Sequence, residues 1–182
     1  MAKTRESCVL CQIVANNIPS YKIYEDEIAI AALDFNGANP GHCFIIPKNH
    51  YPIIEQVPDG ELGHLFSIAN RISSAIFESL KAQGTNVFVA NGIPAGQTVA
   101  HFMINVIPRR ENDGINLQWS PKQLSEEEMS TVELKLRENM QGMAVESQGK
   151  REMPKAHSER PKPFISDEGE EDYFMSQLRK IP

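Results

Sequence analysis

Cysteine is scarce and tryptophan scarcer, with three Cys and one Trp in 182 residues, and no long apolar run occurs anywhere. An odd cysteine count, behind a start that reads Met-Ala-Lys-Thr-Arg-Glu, fits reduced thiols and not a disulfide framework. No segment reaches the roughly 18 apolar residues a membrane span needs, and no apolar leader follows the first residues. The expectation is a cytoplasmic protein without a membrane partner. Cations are not gathered either: 18 Lys and Arg face 24 Asp and Glu, leaving a formal charge of -6, and the basic residues are scattered. Nucleic acid is therefore not expected as an obligate partner, because binding to its phosphates draws on clustered cations. What is present, 41% hydrophobic and 23% charged residues, is the material of one globular domain with a core of its own.

The chain reads as an α+β domain over residues 1–143 followed by an extension, 144–182. Residues 8–15 are apolar enough for one or two helical turns, closed by Asn16, Asn17 and Pro19. Residues 22–26 and 28–33 read as strands, and 34–41 carry the Asn, Gly and Pro of a loop. Residues 42–47 hold the core Cys-Phe-Ile-Ile, too short for a helix and apolar enough for a buried strand. Leu62, Leu65, Phe66, Ala69, Ile72, Ile76 and Leu80 recur at helical spacing, with Asp59 as the expected cap and Gly84 as the expected stop. Strands follow at 86–90 and 100–107, separated by the Gly/Pro loop 91–97. Ser125 with Glu128 forms a capping box for a polar helix ending near Met140. Most connections are too short for crossovers, so the five strands are expected in a mainly antiparallel sheet with one long helix. From about Glu146 to Glu171 the composition turns to Pro, Lys, Ser, Arg and Glu, a linker leading to the apolar Tyr173-Phe174-Met175 and residues 178–181.

Cys8-Val-Leu-Cys11 has the spacing at which one short turn grips a cation, and zinc prefers such sulfur donors together with imidazole. The alternative is two small buried apolar residues, and spacing alone does not choose between them. His50, in a turn after a strand, and His101, where a strand leaves the Gly-rich loop, are the candidate partners. His42 heads a strand, His64 lies beside Leu65 on the long helix as a surface or rim residue, and His157 belongs to the charged linker. Cys43 sits in a strand that reads as core.

In the segment from Gly96-Gln97-Thr98 through His101, Met103 and Asn105 to Pro108-Arg109, strand alternation sets His101, Met103 and Asn105 on one face and Phe102, Ile104 and Val106 on the other. With Tyr24-Glu25-Asp26, Leu33-Asp34, Gly41-His42 and Ile46-Pro47-Lys48-Asn49-His50, this segment resembles the histidine triad (HIT) family of nucleotide hydrolases and transferases over roughly residues 8–143. The resemblance implies a HIT-like fold and, in the zinc-binding branch, a structural Zn2+ held by Cys8, Cys11, His50 and His101. It implies a purine nucleotide or related phosphate ligand, with Asp34 toward the ribose, Phe35 beside the base, and Asn91, Gln97, Thr98 and Asn105 toward phosphate. A homodimer paired through the long helix and a strand is implied as well.

The family pattern has three histidines at alternate positions, the middle one a nucleophile that carries the nucleotidyl group. Met103 and Asn105 occupy the second and third places here. A thioether has no proton to relay and would become a sulfonium on attack, so Met103 is no phosphate carrier; Asn105 can donate a hydrogen bond but is neither acid nor base. Removing such a nucleophile costs on the order of a million-fold in rate. The expectation is a nucleotide-binding protein without the usual covalent chemistry. Two alternatives are a hydrolase of altered mechanism, using a water held by Asn105, Gln97 or an added metal, and a non-enzymatic interaction scaffold.

Overall fold

Along residues 29–32 and 43–46 every side chain is apolar, and each is spent on one side of a sheet or the other. In the computed structural model, which describes residues 5–141, five strands run in the order β1-β2-β3-β5-β4: β1 Lys22–Glu25, β2 Ala29–Leu33, β3 Cys43–Pro47, β4 Gly84–Phe88 and β5 Ile104–Arg109. All neighbouring pairs are antiparallel. Ala29, Ala31, Cys43, Ile45, Ile104 and Val106 pack under the long helix α2, Asp59–Leu80, against its Leu65, Ile68, Ala69, Ile72 and Ile76. The intervening Ile30, Ala32, Phe44 and Ile46 face the other way and are covered by the short helix α1, Val9–Val14, through Leu10 and Ile13. Period-two strands between two helices thus explain why these strands lack polar positions. Each of the buried Leu and Ile side chains under α2 contributes about 1.5–3 kcal/mol.

Several boundaries differ from the sequence expectation, among them β4, expected at 86–90 and found at Gly84–Phe88 because its pairing with β5 starts at Gly84↔Arg109. Asp59 is the first helical residue and not the cap; Pro58 occupies that position and no side chain caps the end. Proline pre-sets the backbone for entry, and Asp59 and Glu61 still favour the first turn through the helix dipole. The helix stops at Lys81, which takes a left-handed φ of 53°, so Gly84 opens β4 and does not end α2. β4 and β5 pair from Gly84↔Arg109 to Phe88↔Asn105, and the ladder ends there. Residues 100–103 therefore precede the strand; the Phe102 amide donates instead to the carbonyl of Tyr51. Side-chain alternation nevertheless persists, since Phe102 joins the α2 core while Met103 packs on the α1 side.

Gly41 shows what the turn into β3 demands. Its φ is +90°, a left-handed conformation that requires glycine, while a Cβ there would meet the mobile end of the Leu80 side chain, which could move aside. Helix α3, Glu126–Met140, opens with the expected capping box between Ser125 and Glu128 and buries none of its side chains. No helix among the described residues is long and apolar enough to cross a membrane. The expectations for the extension, His157 included, lie outside the described residues.

Candidate metal centre and ligand pocket

Six residues are too few for a helix to stand alone, so α1 depends on what its ends are fixed to. Cys8 sits at its N-cap position and Cys11 in its first turn, both buried. His101 reaches them from the segment before β5, and His50 from the turn after β3. Cys11 Sγ lies 3.2 Å from His50 Nδ1 and 3.5 Å from His101 Nδ1, and Cys8 Sγ lies 3.5 Å from His101 Nδ1. All four donor atoms fall within 4.8 Å of one another. A tetrahedron with metal bonds of about 2.3 Å to sulfur and about 2.05 Å to nitrogen separates S from N by roughly 3.5 Å, so the spacing found is that of ligands around one ion. The imidazoles stand edge to face, 83° apart.

The protonation pattern agrees. His101 Nε2 is 3.1 Å from the Pro47 carbonyl, which can only accept, so this nitrogen carries the proton and Nδ1 offers its lone pair to the centre. Burial pulls the His101 imidazolium down to about 4, leaving the ring neutral. Burial and the neighbouring Cys8 push the Cys11 thiol up to about 11; a cation reverses that preference, because a ligating sulfur is a thiolate. His50 Nε2 is buried and has no hydrogen-bond partner among the described residues; with Nδ1 directed at Cys11, it is the nitrogen that carries the ring hydrogen. These four residues can hold a metal ion.

Beyond His101 the sheet face opens into a cavity of about 190 Å³, lined by Asp34, Phe88, Ala90, Gly96, Gln97, Thr98, Val99, His101, Met103 and Asn105. Asn105 sits between its cross-strand neighbours Phe44 and Phe88. Its environment explains how a buried amide is tolerated there. His42 Nδ1 accepts from the Ala38 amide at 3.1 Å, so in the neutral ring Nε2 bears the hydrogen and donates to Asn105 Oδ1 at 3.2 Å. Asn105 thus turns its Nδ2 donor to the cavity. A second space of about 330 Å³ shares Asp34 as a wall and is bordered by Phe35 and His42.

The structure brings Asp34, Gln97, Thr98, Met103 and Asn105 together around one cavity; two other expected ligand residues lie elsewhere. Asn91 accepts from the Ile54 amide and donates to Glu55, and its neighbour Ala90 lines the cavity in its place. Phe35 is 68% exposed and leans on Tyr21, ring centroids 5.5 Å apart. Gln97, although at the cavity, accepts from Gly92 and donates to the carbonyls of Pro52 and Val99, so its amide braces the loop. Sequence reasoning missed His42 as the residue that orients Asn105; no spacing rule links positions 63 apart. It also missed a cluster at the β1–β2 turn, where Asp26 accepts from Tyr24 at 2.7 Å and His64 at 2.6 Å. Burial works against the Asp26 charge, but these bonds and the Ala29 and Ile28 amides outweigh it and hold the carboxyl well below the usual range.

A five-stranded antiparallel sheet, one long helix and a Cys/His cluster leading into a Gly-Gln-Thr loop define a histidine triad protein. The chain belongs to the HIT domain family, whose model matches residues 15–112. It is similar to adenylylsulfatase HINT3 of Arabidopsis thaliana, 37% identical over 120 residues, which are 66% of this chain but only 59% of that one. It is similar too to adenosine 5′-monophosphoramidase HNT1 of Saccharomyces cerevisiae, 31% identical over 137 residues, 75% of this chain and 84% of the relative. Among solved structures it superposes on a Zn-bound histidine triad family protein from Mycobacterium smegmatis with a TM-score of 0.60 and 31% identity, covering 77% of this chain and 100% of the other.

Proposed function

We propose that this protein binds a purine nucleotide non-covalently, over a structural zinc, and lacks the family's covalent histidine chemistry. The observation that carries the reading is the composition of the cavity wall. His101 is the imidazole that lines it, and both its nitrogens are engaged, Nδ1 toward Cys8 and Cys11 and Nε2 at Pro47. His42 stands behind Asn105, with one nitrogen on Ala38 and the other on the Asn105 amide. At the two alternate positions after His101 the groups that face the cavity are the Met103 side chain and the Asn105 amide, neither of which can carry a nucleotidyl group.

Cys8, Cys11, His50 and His101 would hold the zinc, and their donor set of two thiolates and two imidazoles suits that ion. In a closed site of four protein ligands the metal's contribution is structural. We assign the protein to the cytoplasm, since its three cysteines are free and a thiolate site requires reduced sulfur. Pairing into a homodimer through α2 and β4 is supported by the place of β4 at the edge of the sheet with Val87 and Phe88 exposed.

The test is intact-mass spectrometry after incubation with a dinucleoside polyphosphate and with a nucleoside phosphoramidate. The unmodified mass is expected throughout, with adenosine or guanosine monophosphate raising thermal stability. A nucleotidyl-protein adduct would refute the proposal.

A further inference from the structure

We infer that α3 of one copy of this chain docks in the apolar groove beside α2 of a second copy. The inference goes beyond the nucleotide reading and stands independently of it. Helix α3 carries an uncovered seam: Met129, Val132, Leu136 and Met140 follow one another at steps of three and four residues, which sets them along one face, and all four are exposed. The helix buries no side chain against its own domain. Its 15 residues are near the lower limit for a helix that stands alone in water, where most helical stability comes from packing an amphipathic face. The seam therefore needs a cover.

The groove matches it in chemistry, length and charge. It is a cavity of about 360 Å³ between α2 and the β1–β2 side of the sheet, walled by Ile23, Leu33, Ile72, Ala75, Ile76 and Leu80. At about 1.5 Å per residue the α2 wall runs about 18 Å from Ile68 to Leu80, and the α3 seam about 16 Å from Met129 to Met140. Arg71 lines the groove from an exposed position and pairs with no carboxylate among the described residues. Helix α3 sets five Glu against Lys135 and Arg137, so an acidic helix meets a free cation. A second copy is the occupant because the chain leaves β5 through a turn that is tied down. Asp113 is held there by Arg109, Asn39 and the amides of Arg110 and Ile115, and with that exit fixed α3 lies apart from its own groove. On the opposite flank of α2, Ser73 bonds Thr85 of β4, so the groove faces away from the β4 edge and both surfaces can serve one assembly. Reciprocal docking about a two-fold axis covers both seams.

The experiment is amide hydrogen exchange of the full-length chain over about a hundredfold range of protein concentration, because association follows mass action. Exchange in α3 is expected to slow roughly tenfold or more as concentration rises. Leu136→Asp, in the seam, and Arg71→Glu, in the groove, are each expected to remove that protection; Ala75→Trp, which fills the groove, is a second way to block it. In an equimolar mixture of the Leu136→Asp and Arg71→Glu chains, one of the two contacts is intact, so protection should return to α3 of the Arg71→Glu chain alone. Protection of α3 that does not change with concentration, or that survives these substitutions, overturns the inference. So does a dimer, seen by sedimentation, in which α3 exchanges freely. None of these results bears on the nucleotide reading.

Discussion

Substitution Cys11→Ser removes one of two sulfurs from the centre that fixes α1, and its cost follows from what α1 covers. Helix α1 has six residues and contributes Leu10 and Ile13 to the layer over Ile30, Ala32, Phe44 and Ile46. Without metal it has no intrinsic tendency to stay helical, and releasing it exposes those two side chains at about 1.5–3 kcal/mol each. The total, about 3–6 kcal/mol, lowers the melting temperature by roughly 10–20 °C in a domain of this size. The assay is calorimetry of both proteins after saturation with zinc and after treatment with a strong chelator, alongside elemental analysis. The unmodified protein is expected to carry about one zinc per chain, to lose the stated stability with the chelator and to regain it with zinc; the variant should already melt low and ignore both. Binding needs thiolates, and the buried Cys11 thiol stands at about 11 without a cation. Protons are therefore released on binding, so affinity rises with pH and metal is lost on acidification. A zinc content near zero in protein prepared without chelator, or a metal loss that moves the melting temperature by less than about 3 °C, would refute the reasoning.

Restoring both imidazoles with Met103→His and Asn105→His should yield a nucleotidyl adduct by mass spectrometry, because loop, sheet and metal centre are otherwise in place; a silent double variant would show that the cavity itself has diverged. Asp26→Asn tests the cluster with Tyr24 and His64. A carboxyl held low in the folded state stabilises at pH values above its unfolded value near 4 and loses that contribution as the pH falls through the folded value. The variant should therefore melt lower at pH 7, with the gap closing below about pH 4; a gap independent of pH would show that the charge is not what matters.

Much of the fold was legible because apolar spacing reports directly on packing. The heptad-like run from Leu65 to Ile76 marks the buried face of α2, and strand alternation assigns Phe102 and Met103 to opposite sides even though both precede the ladder. The cluster that can hold a metal was legible only in part. Cys8 and Cys11 announce themselves by spacing, whereas His50 and His101 needed the family pattern to be chosen from five histidines. The ligand residues were less legible still. Asn91 and Gln97 have the right functional groups, but sequence shows a donor and not whether a backbone carbonyl has already claimed it. Asp59 misled for a related reason: a good capping residue sat one position inside the helix, where Pro58 had already fixed the entry.

The replacements at 103 and 105 cost the fold little, and the reason lies in which face they occupy. Phe102, Ile104 and Val106 turn inward under α2 and are fully buried; Met103 and Asn105 turn to the ligand cavity. Met103 fills its space as an unbranched apolar chain against the α1 layer. Asn105, 6% exposed between two phenylalanines, would be expensive if its carbonyl were unpaired, and His42 supplies the missing donor. His42 in turn is fixed by the Ala38 amide, which completes the hydrogen-bond chain behind Asn105. His101 cannot be exchanged on the same terms, because it is fully buried and touches Cys8 and Cys11 with one ring nitrogen and the Pro47 carbonyl with the other. The first of the three alternate positions thus belongs to the buried Cys/His cluster and the other two to the cavity, so changes at 103 and 105 bear on what the cavity meets more than on what holds the sheet.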